Sequence, residues 1–289
     1  MRTRQRTTVT GGAVGLGAVL FLVLTVAAPV GTQEQPLTDS FTFAVFGDNR
    51  PGSATAPQPK VFRKIAYEIG ELQPDFVVGL GDYILGSNNE ATVRRQWAGF
   101  FNAMVPMRAK KNVPFVPVVG NHDVSGSLAN EVVFSQYLHY LFYSFDWGKC
   151  HFVTLDSEVV GQDGRIMGHQ LDWLKSDLAA NRQAPLTFVF VHRPLYPVSV
   201  HKGQSLDIRP EERDALHRLF LDNAVDCVFA GHEHLFNLSQ HDGLTYIISG
   251  GAGAPLYSAP EQGDFYHYLV VKVQNGKYRI EVRRPKQPY

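Results

Sequence analysis

Val116-Pro117-Val118-Val119-Gly120-Asn121-His122-Asp123 decides how this chain is read. A short β-rich apolar run ends in a glycine, and three side chains that bind metal or move protons follow at once. Ligands in α/β sheets gather outside the carboxyl ends of the strands, so this grammar puts chemistry at a strand end. Asn, His and Asp also occur in ordinary turns, where they satisfy backbone groups. Recurrence settles the matter. Apolar runs at 41–46, 76–80, 186–191 and 226–230 lead into Gly47-Asp48-Asn49-Arg50, Gly81-Asp82-Tyr83, His192-Arg193-Pro194 and Gly231-His232-Glu233-His234. Glycine before the ligand types (Gly47, Gly81, Gly120, Gly231) is expected to let the chain turn sharply off each strand.

The stretches between these runs read as helices. Val61, Ile65, Ile69 and Leu72 fall at helical spacing within 60–72, and Trp97, Phe100 and Phe101 mark a buried side of 90–104. Leu171, Leu174 and Leu178 do the same for 169–181, and Pro210 suits the first turn of a helix over 211–223. Residues 142–145 and 150–155 read as an antiparallel hairpin around Asp146-Trp147-Gly148-Lys149. The C-terminal part is β-rich, with strands at 245–249, 266–273 and 278–282, the last two joined by Asn275-Gly276. Gly250-Gly251-Ala252-Gly253 is no dinucleotide fingerprint, because no βαβ unit surrounds it. Helices alternating with strands in the first half, and hairpins later, predict an α/β fold: a four-layer α/β/β/α sandwich of two mixed β-sheets flanked by helices.

The 289 residues, 44% hydrophobic, favour one large domain. It is expected over 41–284, after a linker at 34–40 and before a short tail at 285–289. Lys+Arg and Asp+Glu both number 27, so the chain lacks the basic footprint of a duplex-binding protein. Arg2, Arg4 and Arg6 precede an almost uncharged run from Val9 to Val30. A basic segment followed by an apolar one is an export signal, and this run also approaches the roughly 20 residues that span a bilayer. Residues 1–33 are therefore expected to be a signal peptide or an N-terminal membrane anchor. Either way the remainder lies outside the cytoplasm, secreted, periplasmic or extracellular. Cys150 and Cys227 could pair in an oxidising compartment, but two buried thiols packing as small hydrophobes is the favoured reading.

The strand-end donors Asp48, Asp82, Asn121, His192, His232 and His234 include no thiolate. Oxygen and nitrogen ligands of this kind suit Mn, Fe or Zn. A carboxylate can bridge two such ions.

In order along the chain, Gly47-Asp48-x-Arg50, Gly81-Asp82, Gly120-Asn121-His122-Asp123, His192 and Gly231-His232-x-His234 resemble the motifs of the calcineurin-like metallophosphoesterase superfamily. The resemblance runs from about Phe43 to His234. It implies hydrolysis of phosphate esters by water activated at a binuclear centre of divalent or trivalent ions. It further implies that Asp82 bridges the ions, that Asp48 and His234 serve the first, and that Asn121, His192 and His232 serve the second. His122 would act as general acid or steady the phosphoryl oxygens, with Asp123 orienting its ring. The residues by themselves leave other roles open. His192 can be a core histidine, Asn121 and Asp123 can be turn caps, and His234 can face away from its neighbour His232.

One position departs from the pattern. The family commonly has histidine where this chain has Arg50, and purple acid phosphatases have a tyrosine where it has Leu85; Tyr83 falls two residues earlier. Arginine offers no lone pair, but its fork can hold a phosphate. The first metal is therefore expected to be weaker, or completed by water, Asn49 or substrate. Arg193 either reaches substrate phosphate or forms a salt bridge, and Tyr196, His201 and Lys202-Gly203-Gln204 are candidates for the pocket rim. The resulting expectation is an exported phosphomonoesterase acting on small phosphate esters. The alternatives are a phosphodiesterase or nucleotide hydrolase, and a metal-binding protein with weakened catalysis.

Overall fold

The computed structural model describes residues 40–257 and 263–289. Among the described residues, eleven strands form two sheets. The first contains β1 (Ser40–Phe46), β2 (Phe76–Gly79), β3 (Phe115–Pro117), β10 (Tyr268–Gln274) and β11 (Lys277–Arg283), in the order β11-β10-β1-β2-β3. The second contains β4 (Tyr143–Trp147), β5 (Cys150–Thr154), β6 (Thr187–Val191), β7 (Cys227–Ala230), β8 (Phe236–His241) and β9 (Leu244–Ser249), in the order β4-β5-β6-β7-β9-β8. Both are mixed. β1, β2 and β3 run parallel while β10 and β11 pair antiparallel, and β5, β6, β7 and β9 run parallel between antiparallel edges. Pro117 sits on an edge strand, where its missing N–H breaks no ladder.

Side-chain alternation separates three cores. Phe41, Phe43 and Val45 of β1 face Phe152, Phe188, Phe190 and Phe229 between the sheets, where Phe43 stacks on Phe76 at 4.9 Å. Ala44 and Phe46 point the other way, onto α1 (Lys60–Leu72) and α2 (Glu90–Arg108). On the far side, Val153, Val189 and Val228 meet Leu174 and Leu178 of α5 (Gly168–Ala180) and Leu216 and Phe220 of α6 (Pro210–Asp222). This is the expected α/β/β/α sandwich. Cys150 and Cys227 lie in the inter-sheet core as buried, unbridged thiols.

Local chemistry sets the helix limits. α1 stops at Gln73, in the left-handed conformation (φ 50), just before Pro74. α2 starts at Asn89, whose side chain accepts the Thr92 N–H, and continues one turn beyond the expected end at Met104. It carries Pro106 in that last turn, against Gly70 of α1. A Cβ on Gly70 would strike the Pro106 carbonyl, so the close approach of these helices requires glycine. Three elements differ from expectation by existing at all: α3 (Asn121–Val124), α4 (Leu128–Leu138) and β8. The expected export segment, 1–33, and most of the linker lie outside the described residues; among the described residues no helix is long and apolar enough to cross a membrane.

One core histidine makes stability depend on pH. His267 is wholly buried, with Nδ1–H donating to the Phe265 carbonyl at 2.8 Å and Nε2 3.0 Å from Ser249 Oγ. Burial lowers its pKa from 6.5 to about 4, the Phe265 bond opposing only in part. Between those values the unfolded chain binds a proton that the folded chain refuses. Stability from this group is complete above the unfolded pKa and falls as pH drops toward the folded one, by about 3 kcal/mol. Urea titrations at pH 7.5 and 4.5 should show that loss in the parent protein and a clearly smaller one in His267→Gln; equal losses would contradict it.

Candidate metal centre

Every loop carrying a predicted donor opens at the same edge of the sandwich. Asp48 follows β1, Asp82 follows β2, Asn121 follows β3, His192 follows β6, and His232 and His234 follow β7. The turn that aims them differs from the expected one. Of the four preceding glycines only Gly81 has a positive φ (96), whereas Asp48 (59), Asp82 (57) and His232 (69) are themselves left-handed. Such a conformation costs a non-glycine residue roughly 1–2 kcal/mol, and strain of this kind gathers at functional sites. Gly47, Gly120 and Gly231 instead permit close approach: a Cβ on Gly120 would collide with Asp82 N, and one on Gly231 would lie 2.6 Å from Asp48 Oδ2.

The structure brings all six donors together. Asp48, Asp82 and His192 each place a ligand atom within 4.8 Å of the other two. Asn121 Oδ1 lies 3.0 Å from both His192 Nε2 and His232 Nδ1, which are 3.2 Å from each other. His234 does not face away, since its Nε2 is 3.7 Å from Asp48 Oδ1. Backbone carbonyls fix two of the rings: Leu80 O accepts from His192 Nδ1 at 2.7 Å, and Pro255 O from His234 Nδ1 at 2.6 Å. Each of these two histidines thereby keeps a lone pair on Nε2 for the centre.

Burial shapes the electrostatics. Burial and the Asp82 charge push the Asp48 carboxyl well above its ordinary value. Burial acts on Asp82 too, but its interactions with His192 and His122 outweigh it, and the carboxyl falls below the usual range. Burial also lowers His234 to about 4 and His232 further still, so both rings stay neutral. Imidazole nitrogens and an amide oxygen converging beside two buried carboxylates fit a metal cation, which would accept lone pairs from all of them.

Three expectations need correcting. Asp123 does not orient the His122 ring. Its Oδ2 accepts the N–H groups of Asp82 and Gly120, both at 2.9 Å, and its Oδ1 those of Tyr83 and Ile84 at 2.8 and 3.3 Å. It ties the loop after β2 to the loop after β3; the ring is held by the Leu85 carbonyl, 2.8 Å from His122 Nδ1. Arg193 is not poised for substrate. It forks onto buried Glu158 (Nε to Oε1 2.8 Å, Nη2 to Oε2 2.7 Å), with Nη1 on Gln204 O. Tyr196 is not at the rim, because it stacks on His241 at 3.6 Å over the outer face of the second sheet. Removing the Asp123 carboxylate would orphan buried N–H groups at about 1–3 kcal/mol each. Asp123→Ala should therefore lower the unfolding free energy by several kcal/mol, read as a lower denaturant midpoint, and an unchanged midpoint would refute its tethering role.

Other residues emerge only in three dimensions. Glu233, between the two histidines, is fully buried and accepts the N–H groups of Val198 and Ser199, both at 2.7 Å, with His201 N at 3.4 Å. That pins a loop whose His201 ring lies 4.0 Å from His232, and His201 Nε2 is 3.0 Å from Tyr257 Oη. His201 is therefore at the rim as expected, and Tyr257 joins it. Asn49, one suggested completion of the first metal site, has its amide nitrogen tied to Gln58 Oε1 at 2.9 Å and Tyr83 O at 3.3 Å. Tyr83 lies in the core behind the site, its hydroxyl bonded to Val118 N.

Residues 41–236 match the family described as Calcineurin-like phosphoesterase. The chain is 31% identical to purple acid phosphatase 23 of Arabidopsis thaliana over 161 residues, 50% of this chain but only 33% of the plant protein. It is 24% identical to tartrate-resistant acid phosphatase type 5 of Homo sapiens over 244 residues, covering 74% of this chain and 73% of the human protein. Among solved structures, GAP50, the anchor in the inner membrane complex of Plasmodium, superposes with a TM-score of 0.64 at 17% identity, over 86% of this chain and 85% of that one. That likeness confirms the sandwich fold.

Proposed function

The chain belongs to the calcineurin-like phosphoesterase family, and on that premise we propose that it is an exported, metal-dependent phosphatase of small phosphate monoesters. The observation that carries the reading is the convergence of Asn121 Oδ1, His192 Nε2 and His232 Nδ1 within 3.0–3.2 Å of one another beside Asp82. A metal held by these residues would supply Lewis-acid polarisation of phosphoryl oxygens and a nucleophilic water near neutral pH.

The protein's own groups do the rest. Asp82 anchors the His122 loop, its Oδ1 accepting the His122 N–H at 3.0 Å. His122 Nδ1–H donates to the Leu85 carbonyl, which turns Nε2 toward the centre, 3.9 Å from Asp82 Oδ2, with the side chain 30% exposed. In its doubly protonated form the ring can pass the Nε2 proton to the departing ester oxygen, leaving the neutral Nδ1–H tautomer that the Leu85 carbonyl holds, with no covalent phosphoenzyme needed. His201 and Tyr257 pack against the His232 and His234 rings and bond each other at 3.0 Å.

Neutral overall charge supports a small ester over a polyanionic nucleic acid. Export is supported by Arg2, Arg4, Arg6 and the apolar run after them. Parallel turnover of p-nitrophenyl phosphate and bis-p-nitrophenyl phosphate tests the substrate class. Faster monoester hydrolysis is expected, and faster diester hydrolysis would replace phosphatase with phosphodiesterase.

A further inference from the structure

The Asp82 carboxylate divides the centre. Its Oδ1 faces His192 Nε2 at 3.4 Å, on the side where Asn121 and His232 converge. Its Oδ2 faces Arg50 Nε at 3.6 Å. That nitrogen is buried and has no hydrogen-bond partner among the described residues, although the guanidinium stands among carboxylates. The charge of Arg50 also acts on Asp48, His234 and Tyr257, which places it in the half where Asp48 and His234 would otherwise receive a first metal ion.

We propose that Arg50 stands in for one of the two cations: a single metal ion is held on the Oδ1 side by Asp82, Asn121, His192 and His232, and the guanidinium supplies the positive charge on the Oδ2 side. Three observations carry this. A guanidinium offers no lone pair, so among the described residues the Oδ2 side has Asp48, His234 and the shared Asp82 as candidate ligands, with the unpartnered Asn49 Oδ1 as the neighbouring oxygen. A fixed positive charge beside Asp82 Oδ2 repels a second ion from that oxygen. Tyr83 is turned into the core and the Leu85 carbonyl holds His122, so neither supplies the missing ligand, and the Asn49 amide is anchored through its nitrogen to Gln58 Oε1 and the Tyr83 carbonyl. The unpartnered Nε–H and the planar fork then suit the oxygens of a phosphoryl group, a role that a metal ion fills only by ligation. Asp48 and His234 become positioning residues. Asp48 accepts the His232 N–H with both carboxylate oxygens at 3.0–3.1 Å, which orients a ligand of the remaining ion.

This inference rests on the metal-dependent reading above, and one experiment separates their failures. Full-length protein is dialysed to equilibrium against excess Mn(II), its bound metal is counted by elemental analysis, and its electron paramagnetic resonance spectrum is recorded. One ion per chain with the resolved hyperfine pattern of an isolated Mn(II) is expected for the parent protein and for Arg50→Lys. Two ions with an exchange-broadened signal are expected for Arg50→His, which removes the charge and adds a ligand. His192→Ala should bind none, and His234→Ala should keep its one ion. Two ions in the parent protein, or loss of the ion in His234→Ala, would overturn the role of Arg50 and leave the metal-dependent reading standing. No ion in the parent protein would overturn both. Should Arg50→His fail to fold, the parent stoichiometry, its spectrum and His234→Ala still decide.

Discussion

Replacing Asp82 by alanine is expected to strip the protein of bound metal and to lower phosphoester turnover by at least about 10³-fold, the scale on which preorganised charge contributes to catalysis. The carboxylate does three jobs that no neighbour duplicates. Oδ1 lies 3.4 Å from His192 Nε2, Oδ2 lies 3.6 Å from Arg50 Nε, and Oδ1 also accepts the His122 N–H at 3.0 Å. Truncation leaves the histidines without the anion that balances a bound cation, and it releases the loop bearing His122. Asp82→Asn is the companion variant, because it keeps an acceptor for His122 N while removing the charge. Metal content and turnover should fall in both, with the alanine variant also less stable. Near-parental turnover in Asp82→Ala would rule out chemistry at this centre.

The second large effect is expected at His122. Its Nε2 is 3.9 Å from Asp82 Oδ2, and its Nδ1 is committed to the Leu85 carbonyl. It belongs to neither group of converging donors. His122→Ala should therefore retain its metal while losing roughly 10²–10⁴-fold in kcat, the range for a general acid. The loss should grow as the leaving alcohol becomes less acidic, since a poor leaving group needs the proton more. A uniform loss across aryl and alkyl phosphates would point instead to His122 binding phosphoryl oxygens. Loss of metal in this variant would make it a ligand.

How much of this was legible in the chain differs by element. β1 and β2 could be read because both faces of each strand are buried, which leaves continuous apolar runs such as Phe43-Ala44-Val45-Phe46. α4 could not. Leu128 and Val132 face solvent at 66% and 57% exposure while the helix buries Asn130, so its sequence lacks an apolar stripe. β8 was missed for a related reason: an edge strand reading Phe-Asn-Leu-Ser-Gln-His is mostly polar and half-exposed.

In the site, the donor types and their positions after strands were visible, because each ligand needs only a strand end and a suitable side chain. The partners of Asp123 and Arg193 were not. The N–H groups of Asp82, Tyr83 and Ile84 lie about forty residues from Asp123, and Glu158 lies 35 residues from Arg193, so only the folded chain shows what holds each charge. Glu233 carried a faint signal, as an acid enclosed between two candidate metal-ligating histidines in a loop after an apolar strand. The left-handed backbones of Asp48, Asp82 and His232 carried none, since nothing in their side chains requires that geometry.

Turnover of p-nitrophenyl phosphate by the full-length protein, followed through complete metal removal by a chelator and readdition of Mn(II), Zn(II) or Fe(II), tests the central claim most directly. Activity should vanish with the metal and return with at least one of these ions, and Asp82→Ala should fail to respond to any of them. Hydrolysis that survives complete metal removal, or a fully reloaded protein inert toward both mono- and diesters, would contradict the account.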